Sequence, residues 1–307
     1  MPLFNIGNLI KHRREELGIT QEELSEGICS VPTLSRIENG IHPPTRNHAQ
    51  ALLQRLGYSN AVSFCVSDTK EFEITELQMK SRLAYMRNDF DTARELLSEL
   101  IKYKEFFSAT DRQFYEMMYT STHAKEFSDL ESLTRFENAL RITHPSYSRN
   151  NLPIVLTFEE ITALNNIAIR LFNLEERNDA INIWYHLKEY YDKKVTDTQE
   201  ALRTQPMILY NLSKVLGLDG RYDEDIEICD EGIRLASETG RCKWLAKTMY
   251  NRAWAMVKRG RPCDTKSAKQ LAKEAYIFAK IIDRRPNTIE LIGNFIRENF
   301  GEEPPSL

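Results

Sequence analysis

The stretch TQEELSEGICSVPTLSRIENG, residues 20–40, reads as two short helices joined by a tight turn. Thr20 offers a hydroxyl to cap a helix start, Glu23 is the capping-box partner three residues on, and Leu24 and Ile28 supply an apolar side. Gly27 falls near the end of that helix. Ser30 caps the next one, Pro32 sits in its first turn, where a missing N–H costs nothing, and Leu34 and Ile37 face inward until Asn39-Gly40 stops it. Upstream, Ile6, Leu9, Ile10 and Leu17 form a helical stripe closed by Gly18. Downstream, Ala49, Leu52, Leu53 and Leu56 mark a further helix ending at Gly57. Residues 1–57 therefore read as a complete helix-turn-helix domain.

Beyond a connector at residues 58–71, which lacks the Pro, Gly and Ser richness of a flexible tether, the remainder (72–307) is helical by pattern and repeats itself. NLSKVLGLDGRYDEDIEICDEGI, from Asn211, fits a tetratricopeptide layout: a small residue early in one helix, Gly-x-Tyr at the turn, then an amphipathic helix. NIAIRLFNLEERNDAINIWYHL, from Asn166, and NRAWAMVKRGRP, from Asn251, start similar copies, the latter with a short insertion around 262–266. LAYMRNDFDTARELLSEL, from Leu83, is a degenerate copy; residues 111–141 supply two more helices, and 287–300 a capping helix. The expected fold is all-α, the first domain followed by a right-handed superhelix of about five tetratricopeptide-like helix pairs whose first helices line a concave groove.

Composition excludes more than it identifies. A net charge of −4 gives no general nucleic-acid coat, and within residues 1–57 six Lys/Arg balance six Asp/Glu, with Lys11, His12, Arg13 and Arg14 clustered on the first helix. No apolar run is long enough to span a bilayer or resembles a signal peptide, which argues for a cytoplasmic protein with no membrane partner. Five scattered cysteines (Cys29, Cys65, Cys229, Cys242, Cys263) without a CxxC pair read as reduced thiols, so no metal or cofactor is expected. Six dispersed histidines, with no HExxH, phosphate loop or GxSxG elbow, argue against an enzyme; His123, His144 and His186 read as ordinary helix or turn residues.

In a helix-turn-helix the second helix of the motif enters the major groove, and its N-terminal side chains meet base edges. Ser30, Val31, Pro32, Thr33 and Arg36 are so placed; Arg36 suits a guanine, and Val31 or Pro32 a thymine methyl. Gln21 and Asn39 suit phosphate contacts. Arg14 and Glu38 are expected to pair structurally instead, so that losing one leaves an uncompensated charge. In the repeats, Asn166, Asn211 and Asn251 share one helix position, and a column of carboxamides there suits an extended peptide backbone. Arg170, Tyr210, Lys214, Lys247, Tyr250 and Trp254 border the same groove, matching a peptide with apolar side chains and an acidic residue or free C-terminal carboxylate.

The TQxxLSExIC…LSRIExG run followed by such repeats resembles the peptide-pheromone-responsive regulators of Gram-positive bacteria, the RRNPP group, and looks closest to its PlcR-like branch. That resemblance implies a homodimer on a palindromic DNA operator, with a short, re-imported signalling peptide in the groove held by the Asn column. Two other readings fit the same residues: a DNA-binding regulator whose repeats recruit a protein or only dimerise, and a tetratricopeptide scaffold with a vestigial DNA domain.

Overall fold

A computed structural model describes residues 6–58, 69–193 and 201–306. Every named element among them is helical, and none of the helices is long and apolar enough to cross a membrane. The first four, α1 (Ile6–Glu16), α2 (Gln21–Ser25), α3 (Val31–Glu38) and α4 (Arg46–Arg55), form the helix-turn-helix domain. Their starts are fixed locally. The Thr20 hydroxyl accepts from the Glu23 N–H at 3.1 Å and Glu23 returns a carboxylate to the Thr20 N–H at 2.7 Å, while Ser30 and Thr45 cap α3 and α4 in the same manner. Ile10, Leu24, Leu34, Ile37, Leu52, Leu53 and Leu56 close the core between them. α1 passes so near α3 that a Cβ on Gly7 would stand 1.8 Å from the Ile37 carbonyl oxygen, so that position admits only glycine.

Five helix pairs follow: α5 (Thr69–Met86) with α6 (Phe90–Leu100), α7 (Ala109–Thr122) with α8 (Asp129–Thr143), α9 (Phe158–Asn173) with α10 (Arg177–Lys193), α11 (Ala201–Leu218) with α12 (Tyr222–Thr239), and α13 (Leu245–Arg259) with α14 (Asp264–Phe278). A last helix, α15 (Pro286–Phe300), ends the array as the sequence predicts. The repeat relation shows in the turns, where Asn88, Glu175, Gly220 and Gly260 each take a left-handed conformation just past the first helix of a pair. Two of these four are not glycine, which hides the turn from a motif search. The apparent insertion at 262–266 is mostly helix, since α14 begins at Asp264 and the turn is only one residue longer than in the pair before it.

The chain divides into two compact units. One comprises Met1–Ile183 with Asp192–Thr198, and thus joins the helix-turn-helix domain to the first helix pairs; the other comprises Trp184–Tyr191 with Gln199–Leu307. The expected connector at 58–71 falls largely on residues 59–68, outside the described residues, as does Cys65; Cys29, Cys229, Cys242 and Cys263 are free thiols. In the second unit, Ala253, Ala268, Ala272, Ala275 and Ala279 are fully buried with Ile292 and Ile296, small side chains that let α13, α14 and α15 approach closely. Asp225 on α12 is 1% exposed beneath Gly217, its Oδ2 has no hydrogen-bond partner, and its Oδ1 accepts from the Cys229 thiol at 3.2 Å. Burial pushes the Asp225 carboxyl up to about 7.

Candidate functional site

α3 has two chemically distinct faces. Leu34, Ile37 and Glu38 are buried, whereas Ser30, Pro32 and Arg36 are exposed and Val31 and Thr33 half-exposed, so the predicted base-reading residues share the outward side. The Ser30 and Thr33 hydroxyls are 2.8 Å apart. Arg36 has no side-chain partner among the described residues, which leaves its five donors available for a fork onto an external acceptor. Asn39 folds back to donate to the Ser35 carbonyl at 2.8 Å and thereby closes the end of α3, its side chain still exposed.

The inward side holds α3 in place through Glu38, 1% exposed. Arg14 reaches it with Nε at 2.6 Å from Oε1 and Nη2 at 2.9 Å from Oε2, the structural pair that the sequence predicts. The hydrogen bond to Glu38 raises the Arg14 pKa despite partial burial. Gln21, expected to suit a phosphate, instead donates its amide to Glu38 Oε2 at 2.7 Å. The basic cluster of the first helix is likewise less basic than its composition: Arg14 points to Glu38, while His12 and Arg13 both lie 3.1 Å from Glu16.

A charged cluster that sequence reasoning missed binds this domain to the repeats within the same unit. Arg55, fully buried at the end of α4, donates from Nη1 to the Leu24 and Glu26 carbonyls at 3.0 and 2.6 Å. Its Nη2 lies 3.2 Å from the Thr143 carbonyl, 2.8 Å from His144 Nε2 and 3.0 Å from Glu160 Oε1. The same His144 Nε2 lies 3.2 Å from Glu160 Oε1, and its Nδ1 lies 3.5 Å from Glu26 Oε2, so the imidazole sits between two carboxylates and the guanidinium. Glu160 also receives the Thr143 hydroxyl at 2.7 Å and caps α9 through the Thr157 N–H at 2.6 Å. Burial opposes its ionisation, but Arg55 and His144 outweigh burial and hold the Glu160 carboxyl well below the usual carboxylate range. Glu26 accepts from the Ser146 N–H and hydroxyl, and a Cβ on Gly27 would fall 1.8 Å from the Thr143 carbonyl oxygen. A lone arginine beside Ala51, Leu52, Leu53 and Leu56 on a buried helix was the available signal, and His144, read as an ordinary turn residue, is 1% exposed within this cluster.

The predicted groove residues meet different fates. In the first unit Asn166 is half-buried on α9, and Arg170 donates to Asp129 Oδ1 at 2.7 Å, an oxygen it shares with Asn173 at 3.1 Å. In the second unit, Asn211 is half-buried and Lys214 exposed on α11. Asn251, placed in the groove by the sequence, is 7% exposed and gives its amide to Ser213 Oγ at 2.9 Å and the Tyr210 carbonyl at 3.4 Å; its donor end is spent inside the array. Tyr210 stacks on Trp244 with ring centroids 5.1 Å apart, and Lys247 Nζ stands 5.5 Å from the first ring and 5.7 Å from the second. Further along α13, Tyr250 and Trp254 line a cavity of about 360 Å³ together with Leu291, Asn294, Phe295 and Glu298 of α15. Trp244, Phe295 and Arg285 belong to this surface and were not foreseen, since each lies outside the position that the repeat register marks.

Residues 10–59 match the helix-turn-helix family model. No curated protein matches the chain. Among solved structures, PlcR of Bacillus thuringiensis in complex with the peptide PapR7 and DNA is similar at 18% identity, over 95% of this chain and 100% of that one, with a TM-score of 0.59. The apo form of the same protein aligns at 17% identity over 95% of this chain and 98% of its own, again with a TM-score of 0.59. The apo competence regulator ComR of Streptococcus vestibularis aligns at 13% identity over 96% and 98%, with a TM-score of 0.54. At these identities the shared property is the fold: a helix-turn-helix domain followed by helical repeats across nearly the whole chain.

Proposed function

We propose that the protein is a sequence-specific DNA-binding transcriptional regulator that acts as a homodimer on a palindromic site and is controlled by a short signalling peptide bound to its repeats. The observation that carries the first half is the outward face of α3, with Ser30, Val31, Pro32, Thr33 and Arg36 presented together within a matched helix-turn-helix domain. Two copies are needed because one short helix reads only a half-site, and half-sites one helical turn apart mirror a twofold dimer. Selection of full-length protein against a randomised duplex pool tests this. It should yield a palindrome whose binding weakens steeply with salt, as counterions are released from neutralised phosphates. A pool without enrichment, or a flat salt response, would overturn it.

The second half is supported by the aromatic and cationic side chains gathered on α11, α13 and α15, and by the peptide held in the solved PlcR complex of like fold. Asn166, Arg170, Asn211, Lys214, Tyr210, Lys247, Tyr250, Asn251 and Trp254 are the proposed contacts, with Asn251 acting through its carbonyl oxygen alone. A ligand changes DNA binding only through differential affinity for two arrangements of the protein. Titration of the selected duplex with and without a bound peptide therefore measures the coupling and its sign. Affinity selection from a synthetic heptapeptide pool on full-length protein supplies that peptide; if none is retained, the peptide half fails.

A further inference from the structure

Within the second unit, Lys247 is a half-buried ammonium that forms no ion pair with any described residue. It faces the stacked rings of Tyr210 and Trp244 and shares the second of them with two other cations, Lys243 Nζ at 5.8 Å and Arg285 Cζ at 5.6 Å from the Trp244 centroid. Asp283 is the carboxylate of this surface, its side chain 3% exposed, and Arg285 engages it through two hydrogen bonds, one of them 2.9 Å. Burial, Arg285 and Lys214 lower the Lys247 pKa, against a smaller opposing pull from Asp283. A partly dehydrated cation crowded by its like is a costly arrangement in isolation, and a second carboxylate relieves it.

About two turns along the same helix lies the cavity lined by Tyr250, Trp254, Leu291 and Phe295. From Lys247 to Trp254 the helix rises roughly 10 Å, which is about the length of three residues of extended chain. Lys258 stands over the far ring, 5.5 Å from the Trp254 centroid, and Glu298 borders the cavity, so its polar rim is neutral in sum while the Lys247 end is positive.

We infer that this surface sets the register of a bound peptide: Lys247, with Arg285 beside it, takes a carboxylate of the peptide, and a large apolar side chain about three residues away enters the cavity beneath Trp254. The inference rests on the peptide reading above and adds to it the chemistry and spacing of the two anchors. The carboxylate comes from the chain terminus or from an acidic side chain, and both present the same bidentate acceptor.

Synthetic heptapeptide pools prepared as free acids and as C-terminal amides, selected on full-length protein, test the inference, with tryptophan fluorescence and calorimetry to measure binding. Retained free-acid peptides should carry an aromatic or leucine-like residue about three positions from a carboxylate. Removing that carboxylate should weaken binding at least tenfold in wild type and have little further effect in Lys247→Met. Loss on C-terminal amidation identifies the terminus as the source, and loss on replacing Glu by Gln identifies a side chain; either supports the inference. Lys247→Arg should restore affinity, which a merely structural role of Lys247 does not predict, and Arg285→Gln gives a second variant should Lys247→Met melt early. If peptides bind but neither carboxylate removal matters, or no apolar position is enriched, the register is wrong while peptide binding stands. If no peptide is retained from either pool, both readings fall.

Discussion

Arg55 and Glu160 show what a single buried charge does to the surrounding chain. Each is almost wholly enclosed, and each is tolerated because the two charges answer one another and further hydrogen bonds meet them, with only the Arg55 Nε of this pair buried without a partner among the described residues. Removing one partner strands the other, so Arg55→Leu or Glu160→Gln is expected to cost about 3–5 kcal/mol, read from denaturant or thermal melts. The pH dependence has a definite sign. The Glu160 carboxyl is held low in the folded state, so its stabilisation is complete above the ordinary carboxylate range and is lost as pH falls towards its folded value. Asp225 behaves oppositely. Its carboxyl is raised to about 7 in the folded protein, so its own contribution to stability is complete below pH 4 and is lost as pH rises through 7. Asp225→Asn should therefore remove that decline, stabilising the protein at pH 8 by roughly 4 kcal/mol and leaving it unchanged near pH 4, in melts at the two pH values. Neither site was legible in the sequence. A charged residue in an apolar stripe announces burial only when the partner element is known, and Glu160 lies 105 residues away from Arg55.

At the scale of the element, α3 separates recognition from stability by face. Arg36→Ala should leave the melting temperature unchanged and weaken binding to the selected duplex by about ten- to a hundredfold, the value of one bidentate base contact. Arg14→Ala should also abolish DNA binding, but with a lowered melting temperature, because Glu38 is then buried without its partner. The two variants together distinguish a reader of DNA from a support of the helix that reads. This division was visible in advance, since caps, Pro32 and the Leu34/Ile37 spacing fix where α3 starts and which way it faces. The repeat turns were visible only in part: a glycine marks the left-handed residue at 220 and 260, but Glu175 holds the same conformation with a side chain that disfavours it. Glu175→Gly should raise stability by about 0.5–1 kcal/mol, measured by denaturant unfolding. What periodicity could not report was that the Asn251 amide is consumed by Ser213 one helix pair earlier.

For the molecule as a whole, order of domains and helix count followed from pattern, because local propensity, capping and apolar spacing agree with one another along most of the chain. The grouping of the helix-turn-helix domain with the first helix pairs did not, since it depends on side chains far apart in sequence. Gly27 and Arg55 meet Thr143, and Val155 contributes to the core that α1–α4 build. The junction makes the DNA-reading part a poor interchangeable cassette. A chimaera that replaces residues 1–57 with the equivalent segment of another regulator would have to bring a glycine to position 27 and an arginine to position 55. Without them it would leave Glu160 unanswered on one side of the seam and a backbone collision on the other. Transplanting the specificity of α3 is better done by exchanging its outward side chains than by moving the domain.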